Sequence, residues 1–191
     1  MSRTPSTMLE LGTRAPDFDL PNPLTGESVK LSDYQHMPLL IAFSCNHCPY
    51  VLHILKSFVE YASDVQKSGL SVVMINANDI ENYPDDSPQK MVGLVNEYKF
   101  DFPYLYDASQ QVAIAYRAAC TPDFFLFDNQ HRLVYRGQYD AARPGNDEEI
   151  TGVDLKSASH ALLGNQAISA PQLPSMGCNI KWRVGNEPQY F

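Results

Sequence analysis

An α/β fold built around a parallel strand–helix–strand unit is what this chain of 191 residues predicts, and three observations carry it. Leu39 to Phe43 and Leu70 to Ile75 are short apolar runs, broken only by Ser71, the pattern of strands buried on both faces. Between them, Val51, Leu52, Leu55, Phe58, Val59 and Ala62 recur at helical spacing, with Lys56, Glu60 and Asp64 on the other side, until Gly69 ends the pattern. At the junction of the first strand and the helix stand Cys45 and Cys48, separated by two residues. A Cys-x-x-Cys in a strand-to-helix turn is the sequence form of a reversible redox dithiol.

The remaining elements follow in order. Pro16 to Asp33 alternates Phe18 and Leu20, then Val29 and Leu31, around Pro21, Asn22, Pro23 and Gly26, which predicts an N-terminal β-hairpin. Pro49 suits a helix start because its missing N–H would have no partner there. Asn76 to Pro88 reads as a solvated acidic loop. A second helix is expected from Ser87-Pro88 to about Lys99, a short strand over Phe102 to Tyr106, and a helix over Ala108 to Arg117. Asp123 to Asp128 and Arg132 to Gln138, parted by Asn129-Gln130-His131, predict an antiparallel hairpin. Asp154 to Leu163 is the last helix. The reading is of one domain over residues 1–191, with a lead-in over 1–14 and an irregular tail over 165–191 that packs on the body through Ile180 and Trp182.

Fourteen Lys and Arg stand against 22 Asp and Glu, a net charge of −8 without a basic run, so phosphate-backbone binding has no electrostatic support and no nucleic-acid partner is expected. Met1 to Gly12 lacks the apolar core of an export signal, and no stretch approaches the roughly 18 apolar residues of a membrane span. The expectation is a cytoplasmic protein, monomer or homodimer. In that compartment thiols are kept reduced, so four cysteines argue for catalytic, sensing, metal-binding or buried roles over a structural disulfide framework.

Only a thiolate attacks a disulfide, and a thiol of ordinary pKa, about 8.5, needs nearby positive potential to become one at neutral pH. If the helix begins within Cys45 to Pro49, its free N–H groups point at the Cys45 sulfur. Cys45 is then the attacking nucleophile and Cys48, one turn on, resolves the mixed disulfide. His47, when protonated, stabilises the thiolate; its alternative is an ordinary loop residue. A zinc reading of Cys45, Cys48 and His53 lacks a fourth ligand where one is needed, at Phe58, so no metal and no cofactor is expected. The acidic loop fails as a calcium loop at Ile80. Cys178 is read as structural or inert.

The residues Ala15-Pro16-Asp17-Phe18, Phe43-Ser44-Cys45-Asn46-His47-Cys48-Pro49-Tyr50-Val51, Asn76-Ala77-Asn78-Asp79, Cys120-Thr121-Pro122-Asp123-Phe124-Phe125-Leu126-Phe127-Asp128 and Gly177-Cys178-Asn179-Ile180-Lys181-Trp182 resemble the thioredoxin-like superfamily. Within it they resemble the alkyl hydroperoxide reductase and thiol-specific antioxidant branch, most closely the peroxiredoxin-like 1 group. The resemblance covers most of the chain. It implies a thioredoxin-like fold, a central mixed β-sheet flanked by helices, and a cis Thr121-Pro122 bond set against the dithiol. It also implies substrate contact by Thr121, Pro122 and Cys120, the last as a third thiol near the first two. Three departures stand out. Ser44 and His47 replace the Trp and Pro of thioredoxin, and Leu39 stands where thioredoxin buries an Asp, which leaves His47 as the candidate proton acceptor. Peroxiredoxins carry a Thr three residues before their peroxidatic Cys; here Ala42 precedes Cys45 and Cys45 precedes Cys48 at that spacing.

The expected function is thiol-disulfide exchange through Cys45-Asn46-His47-Cys48 with a disulfide-containing protein or small molecule and a thiol electron donor. The alternatives are a peroxiredoxin-like antioxidant that reduces hydroperoxides, or a metal-binding or redox-sensor module.

Overall fold

The computed structural model describes residues 3–169 and 171–190. Its strands are β1 (Arg3–Pro5), β2 (Asp19–Pro21), β3 (Ser28–Lys30), β4 (Leu39–Phe43), β5 (Ser71–Asn76), β6 (Tyr104–Tyr106), β7 (Cys120–Thr121), β8 (Asp123–Phe127), β9 (Leu133–Gly137) and β10 (Met176–Asn179). Its α-helices are α1 (Pro49–Lys67), α2 (Pro88–Tyr98), α3 (Gln111–Ala115) and α4 (Val153–Leu163), and short 3-10 turns cover Leu31–Tyr34 and Pro84–Asp86.

The apolar runs form the middle of a five-stranded mixed sheet of order β6-β5-β4-β8-β9. β4 pairs in parallel with β5, across α1, and antiparallel with β8; β5 pairs in parallel with β6. Alternate residues of β4 point to opposite faces, and both faces are covered. Leu40 and Ala42 pack with Leu55 and Phe58 of α1, Met91 of α2 and Leu155 of α4. Leu39, Ile41 and Phe43 pack with Phe18 and Leu20 of the β2–β3 hairpin, Ala113 of α3, Tyr116 and Ile180. Burial on both sides is the reason these strands carry no polar alternation.

Two elements differ from expectation. The helix over Ala108 to Arg117 contracts to α3 because Asp107 ties up the preceding residues: it accepts from the hydroxyl of Ser109 and the N–H of Ala113, and its carbonyl takes the N–H of Gln110. The tail is not irregular throughout. β10 lies between β1 and β7 in a second, three-stranded antiparallel sheet. Four residues that include a glycine carry no strand periodicity, so only the long-range pairing reveals them. Gly177 is required there, because a Cβ at that position would stand 2.0 Å from the carbonyl oxygen of Thr121. Ile180 is buried and Trp182 packs against the same cluster.

A buried ion pair fixes the segment that leads into the site. Arg136 Nη2 donates to Asp123 Oδ2 at 3.1 Å, with both side chains fully buried. The same nitrogen reaches the Arg117 carbonyl at 2.8 Å, and the guanidinium stacks 4.3 Å over the Phe125 ring. Asp123 also takes the N–H of Ala119, so the ion pair as a whole holds Arg117, Ala119 and Asp123 against β9. Removing it strands a charge in the core. Asp123→Ala should therefore lower the free energy of unfolding by about 3–5 kcal/mol, measured by denaturant titration.

Candidate active site

β4 ends at Phe43, and its path continues through Ser44, whose N–H donates to the Ile75 carbonyl at 2.8 Å. The next residues form a loop that meets α1 at Cys48, the N-cap residue, with Pro49 in the first helical position. The helix therefore begins four residues after Cys45. The positive end of the helix therefore lies at Cys48, whose side chain makes no cap hydrogen bond, and the nearby Val51 N–H favours a thiolate there. The expected focus on Cys45 is displaced because Pro49, which has no N–H, sets the helix start one residue after Cys48.

Both sulfurs are buried, and both are seated on Thr121. Cys45 Sγ lies 3.3 Å from Thr121 Oγ1, and Cys48 Sγ lies 3.1 Å from the Thr121 carbonyl oxygen. The Thr121-Pro122 peptide is cis. Cys120 is directed elsewhere: strand alternation turns its side chain away from that of Thr121, and its thiol donates to the Pro122 carbonyl at 3.5 Å. The thiol that does approach the dithiol from outside it is Cys178, the cross-strand partner of Thr121, in the same buried cluster as Cys45 and Cys48.

These contacts divide the protons. Burial pushes the Cys45 thiol well above its usual value, with the contact to Cys48 and the charge of Asp86 adding to the rise. Cys48 moves down to about 5, because the hydrogen bond from Cys45, with those from Cys178 and the Val51 N–H, outweighs the cost of its burial. The Thr121 carbonyl opposes that shift, since it accepts only and favours a proton on Cys48. The two cysteines therefore titrate as a unit that loses one proton readily and holds the second. Burial also pushes Cys120 well up.

The acidic loop is solvated over residues 81–85, but Asn76, Asn78, Asp79 and Asp86 are buried, which corrects the solvated reading at those positions. Asp86 is fully buried. Its Oδ1 accepts from the Asn46 N–H at 2.8 Å, its Oδ2 accepts from Asn78 Nδ2 at 2.7 Å and lies 2.8 Å from His47 Nδ1. Asn76 donates to its backbone carbonyl, and Asn78 Oδ1 accepts from the Lys181 N–H, which ties the network to the chain beyond β10. The His47 ring stacks on Tyr83 with the two planes 4° apart. The ligand atoms of Cys45, His47 and Asp86 all lie within 4.8 Å of one another. That trio has the composition of a metal site, but both Asp86 oxygens already receive donors, and the arrangement serves to orient an imidazole beside a thiol.

Asp86 is the functional residue that sequence reasoning missed. Its signal was present in Asn76 and Asn78, two amides at alternate positions that leave the end of a buried strand on one face and so require polar partners there.

A parallel strand–helix–strand unit, an antiparallel hairpin beside it, and a dithiol at the helix start opposite a cis-proline turn define a thioredoxin-like redox protein. In fold the chain is similar to the thioredoxin domain of a thiol-disulfide oxidoreductase from Bacteroides vulgatus, which superposes with a TM-score of 0.57 at 18% identity, over 71% of this chain and 91% of that one. The chain belongs to the AhpC/TSA family, whose model matches residues 11–136. A crystal structure of a conserved protein from Geobacillus kaustophilus is 46% identical and superposes with a TM-score of 0.93, covering 96% of this chain and 97% of that one. The thiol-disulfide oxidoreductase ResA of Geobacillus kaustophilus is 27% identical over 125 residues, 65% of this chain and 67% of its own.

The proton division has a measurable sign. The ultraviolet absorbance of one thiolate should be present at neutral pH and be lost as pH falls through about 5, the Cys48 value. Cys45→Ala removes the largest stabilising donor and should move that midpoint up toward the roughly 8.5 of a free thiol.

Proposed function

We propose that this chain is a thiol-disulfide oxidoreductase in which Cys45 attacks, Cys48 resolves, and His47, held by Asp86, moves the proton. The observation that carries the reading is the seating of both sulfurs on Thr121 at the helix N-terminus. Cys45 lies beside His47, within 4.8 Å of a ring nitrogen. As the Cys45 proton passes to Cys48, the Thr121 carbonyl accepts the new Cys48 S–H and Thr121 Oγ1 supports the Cys45 thiolate. That thiolate attacks one sulfur of a disulfide, forming a mixed disulfide and releasing the other sulfur as a thiol. Cys48 then attacks Cys45, releases the second substrate sulfur and leaves a Cys45–Cys48 disulfide. His47 supplies the proton to the departing thiolate. Thr121 and Pro122 flank the attacked bond, and a thiol donor returns the pair to its reduced state.

The ResA similarity supports this reaction class. Cys45, Cys48 and Cys120 are thiols, which fits a cytoplasmic setting where reductants keep them so. The lowered Cys48 value favours one second reading, peroxide reduction in an antioxidant role, since a peroxidatic sulfur must also be a thiolate.

The two readings separate in one pair of variants. Cys45→Ser should lose the reduction of peptide disulfides, falling to the rate of an ordinary thiol, while its Cys48 should react with hydrogen peroxide no faster than free cysteine. Retained disulfide reduction in Cys45→Ser overturns the first reading; rapid sulfenic acid formation at Cys48, seen by mass spectrometry, establishes the second.

A further inference from the structure

Three sulfurs converge at Thr121, one more than the dithiol reaction uses. Cys178 is the direct cross-strand partner of Thr121 in the β7–β10 ladder. Directly opposed residues of an antiparallel pair place their side chains on one face, with Cβ atoms about 4.5–5.5 Å apart. Thr121 in turn touches both Cys45 and Cys48. Gly177 permits the approach, since any side chain there would collide with the Thr121 carbonyl. All three cysteines belong to one buried cluster with the start of α1. Thr121 is therefore the neighbour that all three cysteines share.

We propose that Cys178 is a third redox-active thiol, which exchanges with the Cys45–Cys48 disulfide to give a Cys48–Cys178 disulfide and a free Cys45. The inference rests on the dithiol reading above and extends it. In the step, the Cys178 sulfur gives up its proton and bonds to Cys48 Sγ, the Cys45–Cys48 bond breaks, and its electron pair leaves on Cys45 Sγ, which takes the proton. One disulfide and one thiol enter and leave, so no further oxidant or reductant is consumed. Burial pushes Cys178 up to about 12, with the hydrogen bond to Cys48 adding to it, so this thiol attacks as its proton passes to the departing Cys45 sulfur. The consequence is a change of state at the substrate side. Cys45 returns to the thiol form beside His47 while the disulfide is held between α1 and β10, where it ties the C-terminal strand to the active-site helix.

The test uses the full chain as wild type, Cys45→Ser and Cys178→Ser. Each is brought to equilibrium with oxidised glutathione, quenched in acid, alkylated, and its disulfides mapped by peptide mass spectrometry. The inference expects Cys45→Ser to be linked mainly Cys48 to Cys178, wild type to contain both that link and Cys45–Cys48, and Cys178→Ser to contain Cys45–Cys48 alone. It is overturned if Cys48 of Cys45→Ser ends as a glutathione adduct, a free thiol or a partner of Cys120. Should that variant fail to fold, a wild-type map without any Cys48–Cys178 link overturns it equally. Failure of the dithiol reading has a different signature, wild type with no Cys45–Cys48 link, so the two are told apart.

Discussion

Thr121 is the residue around which this site is arranged. Its hydroxyl meets Cys45, its carbonyl meets Cys48, and its backbone pairs with Cys178. Each contact comes from a different part of the residue, and together they hold two segments of the chain on one amino acid. Such a hub works only if its own position is over-determined. The buried Asp123–Arg136 pair supplies that, since Asp123 lies two residues away and also holds Ala119, while Arg136 reaches the Arg117 carbonyl. A buried ion pair is weak evidence for stability, because desolvation consumes most of its attraction. Here its value is positional: it places a short two-residue strand that has little burial area of its own to fix it.

The second organising feature is electrostatic. A buried dithiol without compensation would hold both protons, because burial disfavours a thiolate. α1 offsets this at Cys48 through the Val51 N–H, and the neighbouring thiols complete the set of donors. The Asp86 charge acts in the opposite sense on Cys45. His47 stands against Asp86, and in its protonated form it offsets that charge close to the sulfur it serves. The chain thus carries its carboxylate beside the imidazole, on the loop after β5, with apolar Leu39 buried at the start of β4. This is a different answer to the problem that thioredoxin meets with an acid under its dithiol.

Much of the fold was legible because the physics that forms it is local. Leu39 to Phe43 and Val72 to Ile75 are apolar throughout, the pattern of strands covered on both faces. α1 declared itself by period and by Pro49 and Gly69 at its ends. β10 was illegible for the opposite reason: Met176–Asn179 owes its conformation to partners more than 50 residues away in sequence, and Gly177 matters for what it lacks. The same distinction runs through the site. Cys45, His47 and Cys48 are adjacent in sequence and could be read as a unit. Asp86 and Cys178 reach that unit only through tertiary structure, so one was taken for a solvated acid and the other for an inert thiol. Cys120, beside Pro122 in sequence, was drawn into the site by adjacency, although strand alternation turns it away.

The central claim is that Cys45, Cys48 and Cys178 share one site around Thr121 and that Cys120 lies outside it. The carbon-13 chemical shift of each cysteine Cβ reports directly whether that sulfur is a thiol or part of a disulfide. Followed for all four residues through a glutathione redox titration of the wild-type chain, the shifts of Cys45, Cys48 and Cys178 should all pass toward the disulfide position over one transition, while Cys120 keeps its thiol position throughout. A Cys48 that stays a thiol at every potential, or a Cys120 that oxidises while Cys178 does not, would contradict the account.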